Sequence, residues 1–275
     1  VRAAAPIAAA LHESAVPALV QRLSRVAIVA LALGATPARA AIGTVTYGTV
    51  SVNSGNAVSL TPAYPATPAT GDLLMVFAYT RANVSNCFAL SGWTTLVQTA
   101  TANGSYAVFY TAAAGGESGT VTVTSAAPAN GSQLARMARI PGAATSGTIT
   151  DGTPRAETEV TAQATYTNAG ITTSLAGSLV VLLGGVTDSA TNNETDGLSS
   201  WAGNSLTWSG VSTGTTSGTD GTLGVGTAPK ASAGATGNLT VAVKAGMQLA
   251  GITYAFTIKP TPNSTAADTV TTEQT

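Results

Sequence analysis

The sequence predicts an all-β protein: an antiparallel, jelly-roll-like β-sandwich over residues 41–262, made of two echoing halves, with no substantial helix after residue 41. Composition is the first reason. Hydrophobic residues make up 44% of the chain and charged residues only 8%, against roughly 25% charged in an average soluble domain. Thr, Ser, Asn and Gly must therefore supply the polar surface, and these residues suit pleated strands and turns.

Alternation of apolar and polar residues is the second reason, because side chains of a strand point to opposite faces in turn. Thr44–Val52 and Thr120–Thr124 alternate in this way, whereas Asp72–Thr80 is almost entirely apolar and predicts a buried central strand. Asn103-Gly104 predicts a hairpin turn. Strands are further predicted at Gln98–Ala100, Tyr106–Tyr110, Gln133–Ile140, Ser178–Val186, Thr222–Thr227, Asn238–Val243 and Gln248–Ile258.

Internal repetition is the third reason. Gly71-Asp72-Leu73-Leu74-Met75-Val76 is echoed by Gly177-Ser178-Leu179-Val180-Val181-Leu182, and Trp93 after Ser-Gly is echoed by Trp201 after Ser-Ser. Two further echoes, ending at Val123 and Val241 and beginning at Gln133 and Gln248, follow in the same order. Each half thus holds one very apolar strand that needs cover on both sides. We expect the halves to pack face to face in one sandwich, with two independent domains as the alternative.

The segments Gly71–Thr80, Ser91–Thr99 and Asn103–Thr124, followed by a second Gly-Ser-Leu-Val-Val strand and a closing strand through Pro260, resemble a known recurring domain. It occurs in secreted bacterial surface proteins and in bacteriophage tail-fibre or virion-surface proteins. The resemblance covers Thr44–Pro260 and implies a jelly-roll-like module with a structural, adhesive or carbohydrate-facing role and no shared catalytic residues. Ala-Gly-Asn follows Trp201 where the pattern has Thr-Thr-Leu, so we expect remodelling there.

Residues 1–40 predict an N-terminal extension and an export signal. Arg22 and Arg25 precede the apolar run Val26–Leu33, and Ala38-Arg39-Ala40 fits a cleavage site after Ala40. The uncharged run is too short to span a bilayer, so we expect a secreted or cell-surface protein without a membrane span in the mature chain. We also expect translation to start at Val20. An Ala-rich helix is the alternative, although prolines interrupt it.

The scarcity of cysteine, histidine and basic residues limits the kinds of functional site that the chain can form. The chain has one cysteine, Cys87, and one histidine, His12, which precedes the predicted cleavage site. We therefore expect a buried Cys87, no cofactor and no enzymatic activity. Seven basic and eleven acidic residues follow Ala40, which gives no basic stripe for nucleic acid. Residues 263–275 are small and polar and predict a flexible tail.

Three tryptophans, Trp93, Trp201 and Trp208, are the candidate ligand-binding residues, because aromatic rings offer large contact faces. Ordinary packing is the alternative for each. Asp188, Glu194 and Asp196 lie in a polar segment and could ligate calcium, a cation that prefers oxygen ligands. A solvated turn is the alternative there.

Glu157 and Glu159 lie one residue apart on a predicted strand and could in principle act as a carboxylate pair, although a solvated strand face is favoured. The sequence thus predicts a non-enzymatic extracellular structural or adhesive protein. A carbohydrate-binding module that uses exposed tryptophans is one alternative, with a glycan or cell-surface polymer as partner. A bacteriophage virion decoration or tail-fibre component, assembled as a homo-oligomer, is the other.

Overall fold

The computed structural model describes residues 39, 41–53, 59–126, 132–159, 161, 163–187, 197–203, 205–214, 221–244 and 250–262. All of them belong to one compact unit, Arg39–Pro262. Apart from Arg39, the predicted extension, signal peptide and tail lie outside the described residues. The described part is all-β and contains no helix, which confirms the predicted fold class.

The strands, in chain order, are β1 Thr46–Tyr47, β2 Ser51–Asn53, β3 Ser59–Leu60, β4 Leu73–Thr80, β5 Phe88–Ala89, β6 Thr94–Thr101, β7 Gly104–Ala112, β8 Val123–Ser125, β9 Gln133–Ile140, β10 Arg155–Glu159, β11 Thr165–Asn168, β12 Thr172–Thr173, β13 Ser178–Thr187, β14 Leu198–Ala202, β15 Ser209–Gly214, β16 Gly221–Lys230, β17 Gly234–Ala235, β18 Leu239–Val243 and β19 Gly251–Ile258.

Both halves follow one strand plan. In the first half, a large sheet has the order β1-β9-β4-β7-β6, with β2 also paired to β9, and a small sheet has the order β3-β8-β5. In the second half, the large sheet runs β10-β19-β13-β16-β15 and the small sheet β11-β18-β14. Strand for strand, the two orders correspond, and the paired strands are antiparallel. The short pair β12-β17 is an addition in the second half.

Burial shows how the sheets are layered. On β4, Leu73, Met75, Phe77 and Tyr79 belong to the core that the two halves share, whereas the alternate residues Leu74, Val76 and Ala78 face a core confined to the first half. The two large sheets therefore pack against each other, and each small sheet covers the far side of its own large sheet. Both central strands, β4 and β13, are buried along nearly their whole length, as their apolar sequences predict.

The two large sheets are in contact at Tyr79, near the end of β4. This side chain is fully buried, and its position in β4 corresponds to Gly185 in β13. A Cβ atom at Gly185 would lie 2.5 Å from Tyr79 Cε2. The second half therefore carries glycine where the first carries tyrosine, because the space holds only one ring.

The hairpin predicted at Asn103-Gly104 is confirmed, with its turn one residue earlier. Thr101 pairs with Gly104, so Ala102 and Asn103 form the loop, and Gly104 begins β7 at φ +128°. The Asn103 Nδ2 amide donates a hydrogen bond of 2.8 Å to the carbonyl oxygen of Glu159, which joins the first half to β10.

The single strand predicted over Thr44–Val52 is wrong, because the chain breaks it into β1 and β2. Gly48 lies between them, and a Cβ atom there would come within 1.9 Å of the Ala63 carbonyl oxygen. The segment that follows β3 passes the backbone of Gly48 at this point, and only glycine permits so close an approach.

Candidate functional site

A groove of about 580 Å³ opens on the first half where the edge strand of the small sheet, β5, meets the edge strand of the large sheet, β6. The side chains of Phe88, Leu90 and Phe109 form its floor and are themselves buried. The remaining lining residues are all uncharged: Asn86, Ala89, Ser91, Thr95, Gln98, Thr122 and Thr124.

Two side-chain amides stand on the rim of this groove. Gln98 Nε2 donates a long hydrogen bond of 3.5 Å to Asn86 Oδ1. Among the described residues, neither the Asn86 nor the Gln98 side chain makes another hydrogen bond. Each amide can make up to four, so most of their hydrogen-bonding capacity stays available. Asn86 adopts φ +52°, a left-handed conformation that asparagine tolerates better than most residues.

The strand registers identify the matching place in the second half. Val123 of β8 and Val241 of β18 are equivalent positions. Trp201 pairs with Val241, and extending the pairing of Phe88 and Ala89 with β8 by one residue brings Leu90 to Val123, so Leu90 is the equivalent of Trp201. In the same way, Thr95 corresponds to Gly210 and Phe109 to Gly226. The groove of the first half therefore lies where the second half carries Trp201.

In the second half this place is filled by the indole of Trp201. A Cβ atom at Gly226 would lie 2.1 Å from Trp201 Cδ1, one at Gly210 2.2 Å from Cε3, and one at Gly224 3.0 Å from Cζ2. Three glycines on β15 and β16 thus make a flat seat for the ring. We call this arrangement the tryptophan plug, formed by Trp201, Gly210, Gly224 and Gly226.

A β-bulge turns Trp201 inward. The pairing of β14 with β18 shifts register between Ser199 and Trp201, and Ser200 has φ +49°. Without that extra residue, the alternation from the buried Leu198 would point position 201 outward. The plug therefore depends on a strained serine that carries no sequence signal for a bulge.

The registers also correct the sequence echo between the tryptophans. Trp93 directly precedes β6 and Trp208 directly precedes β15, so Trp208, and not Trp201, is the equivalent of Trp93. Trp93 is half-buried against the first-half core. Trp208 is half-buried beside a cavity of about 260 Å³ that Ile42, Val45 and Pro229 also line.

The structure does not bring the three candidate tryptophans together at one surface. Trp93 belongs to the first half, and Trp201 and Trp208 pack against the core shared by the halves. The indole nitrogens of Trp201 and Trp208 are buried, with no hydrogen-bond partner in the described part of the chain. Ligand binding by these side chains stays a prediction.

The candidate carboxylate residues fall into two groups, the possible calcium ligands and the pair on β10. Asp188, Glu194 and Asp196, the candidate calcium ligands, lie outside the described residues. Among the described residues, no three His, Cys, Asp or Glu side chains are grouped as metal ligands. Glu157 accepts a hydrogen bond of 2.6 Å from Arg155 Nε, and Glu159 accepts one of 3.0 Å from the backbone N–H of Thr167.

Two buried ionisable groups support the fold around these sites. Burial raises the pKa of the Cys87 thiol to about 12. Asp151 is also buried, and its carboxylate accepts hydrogen bonds from the backbone N–H groups of Ser174 and Leu175 and from the hydroxyls of Ser174 and Ser178. Burial raises the Asp151 pKa, but these hydrogen bonds outweigh it and hold the pKa below its usual value.

The fold and the groove define the class of the protein as an antiparallel, sandwich-like all-β protein. The described residues include no helix long and apolar enough to cross a membrane. Protein-family models, curated proteins and solved structures gave no match to the chain. The resemblance to the secreted and virion-surface domain therefore stays a prediction.

Proposed function

We propose that the protein is an exported, non-enzymatic structural or adhesive module of a cell surface or of the extracellular medium. The outward faces of the two small sheets support this proposal most. On the first, Ala89 and Thr124 are exposed neighbours; on the second, Thr165, Thr167 and Ser199 are exposed. The exposed side chains of these strands thus present hydroxyl and methyl groups without charge.

Such faces favour contacts with a neutral polymer. Hydroxyl groups donate and accept hydrogen bonds, and the methyl groups of Thr and Ala add apolar contact area. Charged partners would gain no electrostatic steering from these faces. Adhesion through them should therefore depend little on ionic strength, because screening by salt weakens only interactions between charges.

An adhesion assay with the secreted full chain tests the proposal. Immobilised protein should retain cells or cell-wall material equally well at low and high salt, and heat-unfolded protein should retain none. N-terminal sequencing of the same material should give a chain that starts at Ala41. Failure to adhere, adhesion lost at high salt, or hydrolysis of a polysaccharide that Glu157→Gln abolishes would overturn the proposal.

A further inference from the structure

We infer that the groove between β5 and β6 of the first half binds a neutral saccharide chain. The inference rests on the proposed function and gives it a ligand class and a place. Its location differs from all three tryptophans that the sequence singled out. The chemistry of the groove, and its contrast with the tryptophan plug, support it.

The floor and size of the groove suit a sugar ring. Pyranose rings have apolar C–H faces, and one face can pack on an apolar base that combines the exposed Ala89 with the small accessible parts of the buried Phe88, Leu90 and Phe109. Ligand sites typically combine such a base with a few placed polar groups, in a volume of about 300–1,000 Å³. The groove, at about 580 Å³, falls within that range.

The rim suits the hydroxyl groups of a sugar. Each sugar hydroxyl is both donor and acceptor, and so are the amides of Asn86 and Gln98 and the hydroxyls of Ser91 and Thr95. No charged residue lines the groove. A charged ligand would therefore lose hydration there without gaining a counter-charge, which costs free energy. A neutral ligand avoids that cost.

The second half shows that this strand plan can close the same place with a side chain. Trp201 fills it there, on a seat of three glycines. In the first half Leu90 takes the place of Trp201, and Thr95 and Phe109 take the places of Gly210 and Gly226; here the same place is lined as a groove instead of being filled by an indole. Since the fold does not require the opening, we ascribe it to ligand binding.

Affinity electrophoresis of the full chain tests the inference, with gels that contain dextran, glucomannan or soluble starch as neutral probes and alginate as the acidic probe. A soluble peptide of alternating Thr and Val is added as a competitor, because an extended peptide on the β6 edge is the rival occupant. Thr95→Trp places an indole in the groove. Thr94→Trp is the matched control, since Thr94 is exposed on the same strand but faces the opposite way.

The native chain should be retarded by at least one neutral probe and not by alginate. Thr95→Trp should weaken that binding at least tenfold, Thr94→Trp should leave it unchanged, and both should unfold at the same denaturant concentration as the native chain. Gln98→Ala should weaken it about threefold to tenfold through the loss of one hydrogen bond, and it provides the test if Thr95→Trp does not fold.

Several results would overturn the inference. Retardation by alginate alone, displacement by the peptide, or equal binding by the native chain, Thr95→Trp and Gln98→Ala would each do so. If no neutral probe retards a chain that still adheres to cells, the inference fails and the proposed function stands. If the chain neither adheres nor is retarded, both fail.

Discussion

The packing of Tyr79 on Gly185 is a close contact between the two halves. In Gly185→Ala, the new Cβ atom would lie 2.5 Å from Tyr79 Cε2 and 2.6 Å from Cδ2, where favourable carbon–carbon contacts need about 3.5–4.0 Å. The ring is fully buried and cannot swing into solvent. Overpacking of this kind costs about 1–3 kcal/mol, and replacing a strand glycine by alanine returns about 0.5–1 kcal/mol.

We therefore expect Gly185→Ala to lower the free energy of unfolding by up to about 2.5 kcal/mol, the difference between these two contributions. Tyr79→Leu removes the ring and destabilises the protein by itself, through a cavity and the loss of the hydrogen bond to the Asn103 carbonyl oxygen. In that background Gly185→Ala should no longer be harmful, which gives a coupling free energy of at least about 1 kcal/mol.

Urea unfolding of the four proteins, followed by circular dichroism, measures this cycle. Additivity of the two substitutions within about 0.5 kcal/mol would refute the face-to-face packing, because residues that do not touch behave independently.

Three further predictions concern buried ionisable groups. Asp151→Asn should lower the free energy of unfolding by about 1.5–3 kcal/mol, as for a lost hydrogen bond to a charged group. Because the folded pKa of Asp151 is depressed, the native chain should also lose stability as the pH falls through that pKa, and the variant should lose less. Equal acid profiles of the two proteins in urea titrations would contradict this role of Asp151. Burial raises the pKa of several tyrosines, most of all Tyr79, Tyr106, Tyr166 and Tyr254. The contribution of these four to stability is intact below about pH 10, and stability should fall above it by up to about 1.4 kcal/mol per pH unit for each; a flat alkaline profile would count against this. Cys87, with its raised thiol pKa, should react with a thiol reagent only after urea unfolds the chain; full labelling of the native protein would show that the thiol is accessible.

The central strands could be predicted from the sequence because their signal is local. Leu73–Thr80 and Ser178–Thr187 are apolar on both faces, and such runs are buried wherever they occur. The hairpin could likewise be predicted from two adjacent residues, Asn103 and Gly104. The doubled strand plan followed from the echo between these segments, although the echo paired Trp93 with the wrong tryptophan.

The groove could not be predicted, because its lining converges from four separate segments. Asn86, Gln98, Phe109 and Thr122 come together only through the pairing of distant strands. The inward orientation of Trp201 could not be predicted from the sequence for a different reason. It follows from a bulge at Ser200, a residue type with no particular preference for positive φ.

The central claim is that the ligand site is the open groove of the first half rather than the tryptophans. Nuclear magnetic resonance of the isotope-labelled chain, titrated with the neutral saccharide that retards it, tests this directly. The side-chain amide signals of Asn86 and Gln98 should shift, while the indole N–H signals of Trp201 and Trp208 stay in place. Shifts of the indole signals with unchanged amide signals would contradict the claim.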